Sequence, residues 1–301
     1  MSLDTYVPVH AAGRHYRRAG RTPLSLVLFL AAVLMVVLLA LTVAAVRAER
    51  TGPGAPALSG TGPHGVMAGV GAGGADDGIE GILGRATGYR VGVAVADAAG
   101  GAVRTFGDKT AFAAASTAKL ITAAAYFQRV EAGEASLDEM LGNYTAAFQL
   151  KAMISNSNND SWLLLMDRLG YRRLIQYAAS IGVSYDPQDN LLTPGEMALV
   201  LTRLYAGELL NPGNTAQLLG YMTETNNEEL IPAASGPGIT VYHKYGQFAG
   251  ALHDAALLER GGSTYALVIF TEGADTADEA ERSQTIRDLT RAAVEALFPA
   301  A

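Results

Sequence analysis

Cysteine is missing from all 301 residues, so disulfides, thiol catalysis and cysteine-bound zinc are excluded. That absence fits either redox compartment and locates nothing. Lysine is nearly as scarce: Lys109, Lys119, Lys151 and Lys244 stand against eighteen arginines. Of the five histidines, His10, His15 and His64 lie in the N-terminal quarter, and no H-E-x-x-H or other metal-ligand spacing occurs. No metal or other cofactor is therefore expected. Excess positive charge is also lacking: the net charge of −7 gives no reason to expect nucleic-acid binding. What the chain does have is apolar surface, with 50% hydrophobic residues, enough for a sizeable core at this length.

Leu24 to Val46 is an uncharged run, LSLVLFLAAVLMVVLLALTVAAV. As a helix it spans about 34 Å, enough to cross the ~30 Å hydrocarbon core of a bilayer. Arg14, Arg17, Arg18 and Arg21 precede it against the single acid Asp4, and a mixed flank of Arg47, Glu49 and Arg50 follows. The positive-inside rule then makes residues 1–23 a short cytoplasmic tail and puts everything after residue 47 outside. A cleaved signal peptide is the rival reading. Its apolar region runs only roughly 7–15 residues, and VRA before Glu49 is a poor cleavage site, so a retained single-pass anchor in the cell membrane is expected. Residues 47–76 are rich in Gly, Pro and Ala without periodicity, and read as a flexible linker with a mean reach of about 25–30 Å. The folded domain is expected over residues 77–301.

Within that domain YRVGVAVADAAGGAVRTFGD (89–108) has the alternating valines of two strands joined by a turn. Helices are expected over 116–133, Leu137–Leu141, Ala146–Ile154, Trp162–Leu169, Tyr171–Ser180, Gly195–Ala206 and 214–223. Thr193-Pro194-Gly195-Glu196 forms a capping box at the start of one of these. Strands then return over 239–246, 250–260 and 264–273, and a last helix covers 277–297. Strands at both ends with helices between them predict an α+β fold, a sheet with an inserted helical lobe.

Two of the four lysines stand in chemically suggestive places. Lys119 follows Ser116 by three residues, so both side chains share a helix face, and Ser116 sits at a helix N-terminus where backbone N–H groups favour negative charge. Such a serine can become a nucleophile beside an oxyanion site. A buried lysine beside another cation can lose its proton near neutral pH, whereas arginine stays charged. An isolated S-x-x-K is more often a capped helix with a solvated lysine. Two further segments change that reading: Ser157-Asn158-Asn159, in a polar stretch between apolar helices, and Lys244-Tyr245-Gly246 on a strand. A Ser-His-Asp arrangement is not expected, because His253 and Asp254 are strand neighbours on opposite faces and His243 faces away from Lys244.

The order S-x-x-K, S-x-N, K-x-G resembles the penicillin-recognising serine hydrolases, the class A β-lactamases and penicillin-binding proteins. The flanks FAAASTAK, LLTPGEMALVLTRLYAGELL, LIPAA and HDAALL resemble class A enzymes too, and the likeness covers about 89–298. It implies a β-lactamase/transpeptidase-like α+β fold, a five-stranded antiparallel sheet with flanking terminal helices and an all-helical lobe. By resemblance, Ser116 is acylated, Lys119 is its base or proton relay, and Ser157 passes a proton to the leaving amine. Asn159 binds the substrate amide, Lys244 attracts the substrate carboxylate, and the backbone N–H groups of Ser116 and Gln247, beside Gly246, form an oxyanion hole. The substrate would be a β-lactam or a peptidoglycan-like peptide; the oligomeric state is left open.

Two departures stand out. Class A enzymes carry Glu-Pro-x-x-Asn in a long loop, where the glutamate activates water for deacylation. Here a shorter loop offers Asp186-Pro187-Gln188-Asp189-Asn190, with Asp186 either a short-armed base or an ordinary Asp-Pro turn. Tyr245 replaces the usual Thr or Ser, and is expected either to fill the carboxylate pocket or to rebuild it. A catalytically inactive binding module for peptidoglycan or a protein partner is the alternative to an enzyme, and an esterase-like hydrolase is a third reading.

Overall fold

The structure is a computed structural model that describes residues 72–299. The apolar run 24–46, the tail expected to be cytoplasmic and most of the expected linker lie outside the described residues. Among those described, no helix is long and apolar enough to cross a membrane.

The expected linker ends sooner than residue 76, because helix α1 (Ala72–Leu83) begins inside it. Its glycines argue against a helix on propensity. Docking overrides them: Ile79 is buried, and Gly78 closes on Ala292 of the C-terminal helix α9 (Glu279–Leu297). The chain then forms β1 (Arg90–Asp97) and β2 (Arg104–Gly107), and later β7 (Thr240–Phe248), β8 (Ala251–Arg260) and β9 (Ser263–Glu272). These pair antiparallel throughout in the order β2-β1-β9-β8-β7. One face carries Val91, Val93, Val95, Leu267 and Ile269 against α1 and α9; the other carries Ala94, Ala96, Ala255, Val268 and Phe270 against the helical lobe. The middle strands β8 and β9 are covered on both faces, so they read as nearly continuous apolar runs.

The lobe comprises α2 (Lys119–Glu131), α3 (Ala146–Ser155), α4 (Asn159–Leu169), α5 (Tyr171–Ser180), α6 (Pro194–Tyr205) and α7 (Pro212–Tyr221); a short α8 (Ile231–Ser235) precedes β7. Helix α2 is its axis. Every residue from Lys119 to Phe127 is buried, and the alanine run 123–125 lets neighbours approach from several sides. Both halves of the Thr193–Glu196 capping box form, and such a cap stabilises a helix by about 1 kcal/mol. Pro194 at its head lies over Gly92 of β1, where a Cβ would meet the proline at 2.9 Å.

The short helix expected at Leu137–Leu141 does not form. Met140–Leu141 (β4) instead makes a hairpin with Tyr144–Thr145 (β5), turning through Gly142 at φ +67°. The carbonyls of Leu137 and Glu139 accept from the N–H groups of Ala147 and Ala146, so they are committed to the start of α3. A five-residue helix has too few internal bonds to offset its nucleation.

Candidate active site

The three motifs converge where β7, the sheet edge, meets the start of α2. Ser116 lies in a 3-10 turn, Ala115–Ala118, that leads directly into α2. Two short pairings hold this turn. Phe112–Ala113 (β3) pairs with Leu191–Leu192 (β6), and Asn190 closes the corner. The carbonyl of Asn190 accepts from Ala114 N at 2.8 Å, and its Nδ2 donates to Ala115 O at 3.2 Å. From the sheet side, His253 Nε2 donates to Ala113 O at 2.8 Å while Nδ1 accepts from Thr271 N at 3.1 Å. Those partners fix one neutral tautomer, and burial pulls the His253 pKa down to about 4.

Ala115 and Ser157 both adopt left-handed backbone, at φ +48° and +53°, as does Asn190 at +50°. Asparagine tolerates this; for alanine and serine it costs of order 1–3 kcal/mol, sustained only where surrounding structure over-determines it. Strain of this kind falls on the residue before the candidate nucleophile and on the candidate proton shuttle, as it also does on Glu224 and Ala249.

Behind Ser116 the two lysines meet over one hydroxyl. Lys119 Nζ donates to Ser157 O at 2.7 Å, to Asn159 Oδ1 at 2.7 Å and to Ser157 Oγ at 3.3 Å. Lys244 Nζ donates to the same Oγ at 3.0 Å and to Tyr245 O at 2.9 Å. Both ammonium groups are fully buried, and their hydrogen-bond partners are neutral oxygens. Burial lowers the Lys119 pKa to about 8. For Lys244, burial and then the charge of Lys119 lower it to about 7, with Asp254 opposing. The pair is thus poised to shed a proton in the neutral range, as a general base must. The indole of Trp162 lies 5.1 Å from Lys119 Nζ and donates its own N–H to Thr122 Oγ1 at 2.9 Å.

Ser116 opens into a cavity of about 260 Å³, lined also by Ala115, Asn159, Trp162, Asn190, Gln247 and Phe248. Gly246 explains how β7 reaches it. A Cβ there would stand 3.0 Å from Ala114 O and 3.2 Å from Ser116 N, so only glycine lets the strand lie alongside the nucleophile's N–H. Ser116, Asn159 and Gln247 are therefore brought together on the cavity, with Lys119, Ser157 and Lys244 linked behind it.

Asp186 and Tyr245 neither line this cavity nor bring a side chain into the hydrogen-bonded network behind it. Asp186 turns its carboxylate back to accept from Gln188 N at 2.8 Å, the ordinary Asp turn, and no acidic residue is among the cavity's lining. The loop residue that does line it is Asn190, at the end of the same run. Tyr245 is not among the residues that line the Ser116 cavity. Alternation sends its side chain to the sheet face shared with α9, and the ring stands 4.2 Å from Lys244 Nζ. Sequence reasoning also missed Ala115, Trp162 and Phe248. The single tryptophan was a usable signal; strain at an alanine has none.

A buried His–Asp pair does exist, though not from the sequence neighbours His253 and Asp254. His243 Nδ1 meets Asp254 Oδ1 at 2.9 Å diagonally across β7 and β8, on the face away from Ser116. Its Nε2 meets Thr225 Oγ1 at 2.9 Å and Glu228 Oε1 at 3.2 Å, and Asp254 Oδ2 accepts from Ile231 N at 3.0 Å. Burial alone would lower the His243 pKa; the Asp254 and Glu228 carboxylates outweigh it and raise it.

A serine at the head of a buried helix, with two lysines bridged by a second serine behind it, is equipment for acyl transfer through a covalent intermediate. Comparison with known proteins agrees in class. Residues 75–297 match the model of the beta-lactamase enzyme family, and the chain belongs to that family. Among solved structures, a point mutant of PBP-A captured as an acyl-enzyme complex with penicillin G shares 24% identity over 74% of this chain and 95% of that one, at a TM-score of 0.68. The β-lactamases of Sphaerobacter thermophilus DSM 20745 and Xanthomonas campestris pv. campestris str. ATCC 33913 each share 24%, over 75% and 74% of this chain and 98% of theirs, at TM-scores of 0.66 and 0.67. At that identity these structures speak for the fold. None of the curated proteins matches the chain.

Proposed function

We propose that the protein is a membrane-anchored, extracytoplasmic serine hydrolase, acylated at Ser116 by a β-lactam or a cell-wall peptide-like amide and slow to deacylate. The observation that carries the acylation reading is the pair of buried lysines sharing Ser157 Oγ, with no carboxylate among the described residues bonded to either. In this reading a substrate carboxylate draws the one proton of the lysine pair onto Lys244, leaving Lys119 neutral to take the Ser116 hydroxyl proton as Oγ attacks the carbonyl carbon, and the N–H groups of Ser116 and Gln247 stabilise the oxyanion. Ser157 then delivers a proton to the leaving nitrogen as the C–N bond breaks, and its hydroxyl is resupplied by the lysine pair. Asn159 orients the amide and Lys244 attracts the substrate carboxylate. The cavity that receives the acyl group has no acidic lining residue to activate water, which supports accumulation of the acyl-enzyme. The anchor rests on the Leu24–Val46 run and the arginines before it.

Incubating the full chain with a labelled penicillin and with an activated-serine probe, read by intact mass, tests the reading. A persistent adduct on Ser116 is expected. Turnover without accumulation would make the protein an efficient β-lactamase, and no labelling of folded protein by either reagent would leave only the binding module.

A further inference from the structure

We propose that the groove between the far end of α2 and α5 is a second binding site, built for a small carboxylate. This cavity of about 370 Å³ shares no lining residue with the Ser116 cavity; Arg129, Glu134, Leu169, Arg173 and Tyr177 form its walls. Among the described residues, two buried side-chain polar atoms have no hydrogen-bond partner, Arg129 Nε and the Tyr177 hydroxyl. Both belong to residues that line this groove. Tyr177 is only 8% exposed, and burying a polar group without a partner is costly enough that native proteins rarely do so.

The unmet groups define the missing partner. Arg129 Nη2 is held by the Glu134 carboxylate at 3.3 Å, and its Nε–H can only donate. Burial, and then the charge of Glu131, raise the Tyr177 pKa well above the usual phenol value, so the hydroxyl stays protonated as a donor. The Arg129 N–H can only donate and the Tyr177 hydroxyl can donate beside it, which suits an acceptor, and the exposed Arg173 at the rim favours a negatively charged one. The acids Glu131 and Glu134 stand close by, which penalises a dianion and selects a carboxylate over a phosphate. Leu169 and the Tyr177 ring offer an apolar wall for the body of such a ligand. The site is independent of the acylation reading, because none of its residues takes part in that chemistry.

Benzoate is a suitable probe, with benzamide as its neutral counterpart and inorganic phosphate as the alternative anion. Titrated into the full chain and followed by the Leu169 methyl resonances, benzoate should give a saturable shift that benzamide does not. Tyr177→Phe, which keeps the ring, and Arg173→Gln, at an exposed position, should each weaken binding about tenfold. Labelling of Ser116 by the serine probe should be unchanged in both variants. Absence of a saturable shift would mean that water alone satisfies these groups and would overturn the proposal. So would an equal response to benzamide, or a midpoint unmoved by both substitutions. Tighter binding of phosphate than of benzoate would overturn the carboxylate assignment.

Discussion

His243 and Lys244 are neighbours on one strand, both fully buried, and the two faces of the sheet treat them in opposite ways. On the face toward α9, His243 is met by Asp254 and Glu228, and its charged form is favoured. On the lobe face, Lys244 meets a hydroxyl, a carbonyl and a second lysine, and its charged form is disfavoured. A buried charge with a counter-ion settles into structure. A buried charge without one is held at a cost, and its proton becomes available for chemistry. That contrast is the physical content of the candidate site.

The sharpest way to break the contrast is to make the lobe-face charge permanent. Lys119→Arg keeps the positive charge but removes the titratable proton, so acylation of Ser116 should fall by about 10²–10⁴-fold. An intact-mass time course measures it, and a rate within tenfold of the parent would remove Lys119 from proton transfer. The opposite face is broken by Asp254→Asn, which strips His243 and Ile231 N of their carboxylate. Urea unfolding should show a loss of about 3–5 kcal/mol, the usual cost of orphaning one member of a buried pair. Acylation per folded molecule should stay within a few-fold, and its rise with pH should begin earlier, because the Asp254 charge helps hold the Lys244 proton.

Stability against pH sharpens the comparison further. The folded lysines titrate at about 8 and about 7, while in the unfolded chain they titrate near 10.5. Between those values the unfolded state binds more protons, so the lysine pair makes stability rise with pH across roughly 7 to 10.5. His243 has the opposite sign: its raised pKa contributes stability that is full below its unfolded value and lost as pH climbs through the folded one. Lys244→Met should therefore stabilise the protein at pH 6 by on the order of 2 kcal/mol and flatten the alkaline rise, even as acylation falls. A thermal-denaturation series across pH checks both; unchanged stability at pH 6 would mean the ammonium is adequately solvated by Ser157 and Tyr245 O. The smallest effect is expected from Tyr245→Thr. Removing the ring admits water to Lys244, so the rise of acylation with pH should move to higher pH, at about 1 kcal/mol of lost packing.

Much of this was legible beforehand. The strand at 90–97 and the capping box at Thr193 are local signals, and the structure forms both; the trio of motifs is legible by its order along the chain. Misreadings came where tertiary contacts overrule local ones. Glycine-rich residues 72–76 read as linker, yet docking on α9 extends a helix through them. Asp186 is open between a base and a turn in the sequence, because spacing along a loop says nothing about which residue turns inward; the Asx turn takes its carboxylate, and Asn190 is the loop residue on the cavity. Tyr245 read as a pocket residue because of its adjacency to Lys244; strand alternation turns its side chain to the α9 face, where the ring covers the Lys244 ammonium instead of lining the cavity.

By itself the sequence determined the residue types that can do acyl chemistry, their order along the chain, and the apolar periodicities that build a sheet with a helical insert. Those follow from local covalent and conformational rules. Only the tertiary structure decided that two lysines more than a hundred residues apart would share one serine hydroxyl, that Ala115 would be held in a strained turn, and that His243 rather than His253 would own the aspartate. Each depends on what is buried against what, and a side chain's proton affinity is set by the groups that replace its water.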